Sequence, residues 1–170
     1  MKHTTLMMKM VMAAGFIVYL FVLIKLILFK GGTVDIHFLL QQLKNTLHHP
    51  NIIFDRRGNY IPFKEIVSDI YSMSNLNPFS SKNLIGNILA FIPLGIFIPK
   101  LFTKKCSSFV SVFFLSLALS LCFEVTQLLL FIGIFDVDDL ILNTFGGVMG
   151  YGILRLYMIF NLPLQLETER

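Results

Sequence analysis

The chain has no tryptophan, few charged residues and too few cysteines to depend on disulfide bonds. Of its 170 residues, 14% are charged, whereas a soluble domain carries about 25%. The two cysteines, Cys106 and Cys122, give no disulfide framework. The net charge of +4 is modest, and the basic residues are spread among segments that flank apolar runs, so nucleic acid is not an expected partner.

Apolar residues are abundant instead, at 55% of the chain, and 18 residues are phenylalanine. Four apolar stretches are long enough to cross a hydrocarbon core of about 30 Å as helices. They cover residues 10–29, 84–102, 108–132 and 140–160. The first is too long for a signal peptide and predicts a retained anchor. The sequence therefore predicts an all-α fold, a polytopic membrane helical bundle with four transmembrane helices, in one domain over residues 1–170.

Basic residues predict the orientation of these spans. The short loop between spans two and three is dense in lysine, and the loop between spans three and four has three aspartates and no basic residue. By the positive-inside tendency, both termini are expected on the cytoplasmic side of the membrane. The long loop at residues 30–83 is then outside, although it also carries basic residues. The lysines that decide this orientation are Lys2, Lys9, Lys100, Lys104 and Lys105.

The outer loop contains two stretches with apolar residues at helical spacing, Val34–Leu47 and Phe63–Met73. Each predicts a short amphipathic helix. Two placements stay open: the helices lie in the membrane interface, or they pack on the outer end of the bundle.

Acidic and amide side chains stand inside or beside the apolar runs. A carboxylate near the bilayer centre costs about 2.5 kcal/mol or more, so Glu124 is a candidate functional residue. Under the predicted orientation, the other polar residues at the span ends lie at one depth, and their spacing of three or four places each set on one helix face. We expect one shared cavity lined by Asn83, Asn87, Glu124, Gln127, Asp139 and Asn143.

A structural alternative remains open for these residues, because polar side chains also hold membrane helices together. In that case Glu124 is either protonated or paired with an arginine, since burial raises a carboxyl pKa and a nearby cation lowers it. Arg56 and Arg57 are the arginines on the predicted outer side.

Three segments of the chain carry further motifs. They are NYIPF at 59–63, just after an arginine, NLIGNILAFIPLGIFIP at 83–99, and FEVTQ at 123–127 followed by Asp136, Asp138, Asp139, Asn143 and Gly146. Together they resemble blocks of the VanZ-like family. The resemblance implies a bacterial membrane protein with about four spans. The member that gives the family its name confers low-level resistance to teicoplanin-type lipoglycopeptides. The family often carries an arginine between the glutamine and the aspartates, and residues 128–135 here contain none.

Several classes of function stay open, and a binding module is favoured over an enzyme. An acidic, outward-facing site suits the headgroup of an amphiphile, either a lipoglycopeptide or a cell-wall lipid intermediate, with membrane lipids as the surroundings. The alternative is an intramembrane acid–base or metal-dependent enzyme acting on a lipid-linked substrate. A transporter and a structural subunit are further alternatives. No cofactor or metal site and no oligomeric state is indicated. The candidate binding residues are Arg56, Asn59, Asn83, Asn87, Glu124, Gln127, Asp136, Asp138, Asp139 and Asn143.

Overall fold

The computed structural model describes residues 2–29, 32, 34–53, 56, 58–74, 82–102 and 108–167. The regular elements in these ranges are helices, which confirms the predicted all-α class for the described part of the chain. They are α1 (Lys2–Leu28), α2 (Ile36–His48), a 3-10 helix (Pro50–Ile53), α3 (Lys64–Ser74), α4 (Lys82–Leu101), α5 (Phe109–Leu130) and α6 (Val137–Glu167). Expectations that involve Lys30, Arg57, Lys104, Lys105 and Cys106 fall outside the described residues.

Three helices are long and apolar enough to cross a membrane, namely the segments Leu6–Leu28, Asn83–Leu101 and Phe109–Leu130. They correspond to the first three predicted spans. Helix α6 is not among them, because Asn143, Arg155 and several glycines lower its hydropathy. It also extends beyond the predicted range 140–160 at both ends. As a result, Asp138 and Asp139 stand in the first turn of a helix and not in a loop.

The two predicted loop helices are present as α2 and α3. Helix α2 begins at a side-chain cap, where the Asp35 carboxylate accepts a hydrogen bond from the Phe38 amide at 3.1 Å. It packs against the end of α5 through the Thr46 hydroxyl, which donates to the Leu129 carbonyl at 2.9 Å. Ile36 and Leu40 of α2 remain exposed. The helix therefore contacts the bundle and still presents an apolar face.

The apolar core lies between α1, α4 and α5. Leu23, Phe91 and Val112 are fully buried there, one from each helix. Phe91 and Phe123 contact each other edge to face, with ring centroids 6.3 Å apart, which is a favourable aromatic arrangement. This core joins α1 to α4 and α5, two of the helices that carry polar residues of the candidate site.

Glycine brings α4 and α6 into backbone contact. A Cβ atom built on Gly146 would overlap the Ile88 carbonyl, and one on Gly150 would overlap the Ile92 carbonyl. On the facing helix, a Cβ on Gly95 would overlap the Gly147 carbonyl. Small residues at such positions are the usual means by which membrane helices approach closely.

We predict that Gly150→Ala destabilises the bundle whereas Gly152→Ala does not. Gly152 lies on the same helix with open space around the position of a Cβ atom. Overpacking a close contact costs about 1–3 kcal/mol, while alanine at an open helical site is neutral or favourable. Thermal unfolding of both variants in one detergent measures the difference. Equal melting temperatures would contradict the close α4–α6 contact.

Candidate functional site

Polar side chains gather at the end of the bundle where α1 and α5 end and α4 and α6 begin. We call this region the polar end. Two side-chain contacts bring these termini together: Asn87 of α4 donates to the Asp139 carboxylate of α6, and Gln127 of α5 donates to the Ile27 carbonyl of α1 at 2.8 Å. The segment from Asn59 to α3 packs on the same end.

Asp138 fixes the start of α3, although it belongs to α6. One carboxylate oxygen accepts a hydrogen bond from the Phe63 amide, and the other accepts from Glu65 at 2.7 Å and Ile66 at 3.2 Å. Helix N-termini have backbone amides without partners inside the helix. The Asp138 side chain is 1% exposed, so its charge is matched by these amides and not by water. Phe63 has a φ of 67°, which directs the chain into α3.

Asn59 ties the incoming loop to the start of α6. Its backbone amide donates to the Phe135 carbonyl at 2.9 Å, and its carbonyl accepts from the Val137 amide at 3.0 Å. The side-chain amide donates to the carboxylates of Asp136, at 2.8 Å, and Asp138, at 3.4 Å. Asn59 is buried. The candidate residues Asn59, Asp136 and Asp138 are therefore in direct contact and hold one another in place.

Asp136 and Glu124 continue this network toward the membrane. The Asp136 carboxylate accepts from the Asp138 amide at 2.8 Å, in the first turn of α6. The Glu124 carboxylate accepts from the Asp136 backbone amide at 2.8 Å. Glu124 is fully buried, at 0% exposure. The structure thus places the intramembrane carboxyl of Glu124 one hydrogen bond away from the acidic segment that follows α5.

Asn143 lies deeper, between α5 and α6. Its side-chain amide donates to the Ser120 hydroxyl at 2.9 Å, and that hydroxyl lies 3.5 Å from the Asp139 carbonyl. Among the described residues, the buried oxygens Asn143 Oδ1 and Ser116 Oγ have no hydrogen-bond partner. Side-chain contacts of this kind are those that the structural alternative predicts for membrane helices.

Three candidate residues are described without a contact to these carboxyl groups. Asn83 is exposed at the start of α4, and Gln127 is directed toward α1. The Arg56 guanidinium donates to the Leu128 carbonyl at 3.3 Å and lies 4.4 Å from the centre of the Phe131 ring. These described contacts of Arg56 are with Leu128 of α5 and with Phe131, the residue that follows the helix.

Asp69 is a site residue that sequence reasoning missed. Burial raises the pKa of its carboxyl above the ordinary value, a hydrogen bond from the Leu84 amide lowers it, and the charge of Asp136 raises it. Asp69 therefore lies near Asp136 and at the N-terminus of α4. The sequence shows only a polar residue on an amphipathic helix, and no spacing rule connects position 69 to α4.

Carboxylates thus serve the N-termini of three helices at the polar end. Asp138 accepts from α3, Asp69 from α4 and Asp136 from α6. The N-terminus of a helix carries a partial positive charge, which favours nearby anions. This explains part of the acidic cluster in structural terms. Glu124 and Asp139 differ from these three carboxylates. Their described donors, the Asp136 backbone amide and the Asn87 side-chain amide, are not backbone amides of the first turn of a helix.

The rim of the polar end is both acidic and apolar. Asp136 and Asp139 are partly exposed. Beside them Tyr60, Ile61 and Phe63 are 57% exposed or more. Large apolar side chains around polar groups are typical of a site that meets lipid or an amphiphile. In the described part of the chain, no group of three or more His, Cys, Asp or Glu residues is arranged to hold a metal ion.

We predict that Asp138→Asn releases α3 from the bundle. An amide has one acceptor oxygen, and its NH₂ group would face backbone amides that now donate to the second carboxylate oxygen. A buried donor left without a partner costs about 1–3 kcal/mol. Hydrogen exchange should therefore accelerate across residues 63–74, while α5 and α6 remain protected.

Asp69→Asn is the matched control for this prediction. It removes a carboxylate from the same region and keeps an acceptor for Leu84. Because the pKa of Asp69 is raised, its ionised form is disfavoured in the fold, so its contribution is present at low pH and is lost as pH rises through that pKa. At neutral pH the variant should be as stable as the parent or slightly more so. Equal acceleration of exchange in both variants would show that charge, not capping, anchors α3.

The fold and the polar end define a class: a helical membrane protein with a buried cluster of carboxyl and amide groups. The chain belongs to the VanZ/LLP1 family, whose model matches residues 16–160. This confirms the family that the sequence motifs indicate.

Protein VanZ of Enterococcus faecium is 38% identical to this chain over 91 residues, which are 51% of this chain and 53% of that protein. The chain therefore spans about half the length of this curated relative. No solved structure matches the chain.

Proposed function

We propose that the chain crosses the bacterial cell membrane four times, with α6 as the fourth span and both termini in the cytoplasm. Three observations support this arrangement. Helix α6 packs against α4 through glycine contacts at residues 146–151, and its 31 residues exceed the roughly 20 that a membrane-spanning helix requires. The lysine-rich and aspartate-rich loops also favour opposite sides of the membrane. The polar end then faces outward.

Cysteine labelling tests this orientation. Cys106 and Cys122 are first replaced by serine, and a single cysteine is introduced at Ile134, which is 50% exposed at the polar end. We expect Ile134→Cys to react with an impermeant maleimide in intact cells. Lys100→Cys, at the exposed far end of α4, should react only after the cells are permeabilised. The reverse pattern would place the polar end in the cytoplasm.

For the polar end itself we propose binding of the cationic headgroup of an amphiphile. The observation that carries the proposal is the number of carboxyl groups in one small region, since Asp69, Asp136, Asp138 and Asp139 surround the start of α6 and Glu124 lies beneath them. The donors described for Asp136 and Asp138 are neutral amides. The charge of Asp136 acts on its surroundings, since burial raises the pKa of Asp69 and the Asp136 charge raises it further. Such a field favours a cation at the rim.

The exposed apolar residues at the rim support an amphiphile over a soluble cation. Tyr60, Ile61 and Phe63 stand next to the acids, so a ligand that meets both surfaces would carry a charge and an apolar part. A teicoplanin-type lipoglycopeptide fits this description, as does a cell-wall lipid intermediate with a cationic group. Membership of the VanZ/LLP1 family makes the lipoglycopeptide the first ligand to test.

Two charge-removing variants separate binding from packing. Glu124→Gln and Asp139→Asn both keep an acceptor oxygen for the donors seen here, the Asp136 amide and the Asn87 side chain. The bundle should therefore form in each variant. If the charges bind the headgroup, protection of a susceptible host against teicoplanin, scored beside vancomycin, should fall for both variants at unchanged membrane expression. Purified protein in nanodiscs should lose affinity about tenfold, equivalent to about 1.4 kcal/mol.

Glu65→Gln provides the matched control. Glu65 is exposed in the first turn of α3 and close to the same cluster, but an exposed charge couples weakly to its surroundings. Its removal should leave protection and affinity unchanged. Full protection and parental affinity in both Glu124→Gln and Asp139→Asn would refute the charged binding site and leave helix packing as the role of these residues.

A further inference from the structure

An apolar groove runs along the outside of the bundle between α5 and α6. Its volume is about 480 Å³, within the range of roughly 300–1,000 Å³ that is usual for ligand sites. Phe109, Phe113 and Leu117 of α5 form one wall, and residues from Val137 to Val148 of α6 form the other. Apart from Thr144, the lining is entirely aliphatic or phenylalanine. The groove is therefore shaped and lined for an apolar ligand.

The position of the groove connects it to the polar end. It begins at Val137, which lies in sequence between the rim residue Asp136 and the buried Asp138. From there to Val148 the helix rises roughly 17 Å, at about 1.5 Å per residue. One leaflet of a hydrocarbon core is about 15 Å thick. The groove thus starts beside the carboxyl cluster and extends at least as far as one acyl chain reaches into its leaflet, since its α5 wall continues to Phe109, the first residue of that helix.

We infer that this groove holds the acyl chain of a single-tailed amphiphile whose cationic headgroup sits at the carboxyl cluster. The inference rests on the proposed headgroup site and extends it by naming the second half of the ligand. A tail already dissolved in lipid gains little from apolar burial alone, because lipid is as apolar as the groove. Selectivity comes instead from the fixed position of Asp139 relative to the groove. A ligand binds well only if its charged headgroup reaches Asp139 while its tail lies in the groove.

A second copy of this chain fits the groove less well. Close contact between membrane helices is commonly made through small residues. The glycines of α6 that approach a neighbour are already used, since Gly146 and Gly150 face α4 and Gly147 faces Ser116 of α5. The groove presents Phe113, Leu140 and Phe145 instead. A thin flexible chain enters such a surface more readily than a helix does.

The absence of native tryptophan provides a test without background fluorescence. Phe145→Trp, the groove reporter, places an indole in the groove wall, where the phenylalanine is 55% exposed. Leu89→Trp is the control reporter, since Leu89 is 58% exposed on α4, is not part of the groove lining, and lies about as far from the start of its helix as Phe145 does. Each variant is placed in phosphatidylcholine nanodiscs and titrated with amphiphiles that carry one brominated tail and a cationic, zwitterionic or anionic headgroup.

We expect the cationic amphiphile to quench the groove reporter saturably, at a mole fraction about tenfold lower than that needed for the anionic amphiphile. The control reporter should be quenched in proportion to mole fraction and without headgroup preference. Adding Asp139→Asn to the groove reporter should abolish the preference for the cationic headgroup and leave the spectrum of the unliganded protein unchanged.

The other outcomes overturn the inference. Identical, unsaturable quenching of both reporters would show that the groove is ordinary lipid-facing surface. Saturable quenching without headgroup preference would break the link between groove and cluster. Protection of the groove reporter from every quencher, with cross-linked dimers, would assign the groove to a second copy. The affinity of the protein for a lipoglycopeptide core that lacks the acyl tail is measured in parallel, so that the headgroup site is judged separately. If the protein does not bind this core, the proposed function is refuted. If it binds the core but the groove test fails, only this inference is refuted.

Discussion

The close approach of α4 and α6 is the constraint on which the polar end depends. Because Gly146 and Gly150 bring α6 against the carbonyl groups of Ile88 and Ile92, the separation of the two helices is set by backbone and not by side chains. At that separation Asn87 reaches Asp139 directly. The first turn of α6 is then held at the start of α4, and its acidic residues can meet the loop that arrives from Asn59. A wider helix pair would leave these groups facing lipid, which cannot hydrogen-bond them.

The second constraint is the requirement of helix N-termini for acceptors. Three helices begin at the polar end, and three carboxylates accept from their first amides: Asp138 for α3, Asp69 for α4 and Asp136 for α6. Like charges placed so close repel one another: burial raises the pKa of Asp69, and the charge of Asp136 raises it further. The partial positive charge of each helix start offsets this repulsion. The acidic residues therefore stabilise the fold and also form the basis of the proposed binding. Glu124 and Asp139 are the positions at which the structural role and the binding role can be separated.

Local patterns predicted much of this arrangement. The long apolar runs predicted α1, α4 and α5, and apolar spacing predicted α2 and α3 to within a few residues. The span ends also predicted that Asn83, Asn87, Glu124, Gln127, Asp139 and Asn143 lie at one depth; in the structure Asn87 contacts Asp139 directly, whereas Asn143 lies deeper. Long-range contacts were not predictable in this way. The docking of Asp138 onto α3 joins residues more than seventy positions apart, and the partner of Gln127 is a backbone carbonyl of α1 one hundred positions away. No repeating pattern of residues in the sequence marks either contact. Asp69 was missed for the same reason.

The segment between Gln127 and Asp136 departs from the family pattern, and the structure shows which side chains surround it. Residues 128–135 contain no arginine, which by sequence alone removes a cation from this segment. In the structure, Arg56 reaches the same segment from the preceding loop, where its guanidinium donates to the Leu128 carbonyl and stacks on Phe131. An arginine over an aromatic face remains fully charged and keeps further donors available. A positive charge therefore stands beside this segment, on a loop that is also tied to α6 through Asn59. The electrostatic character of the polar end is consequently a property of its assembled segments, including the loop that carries Arg56.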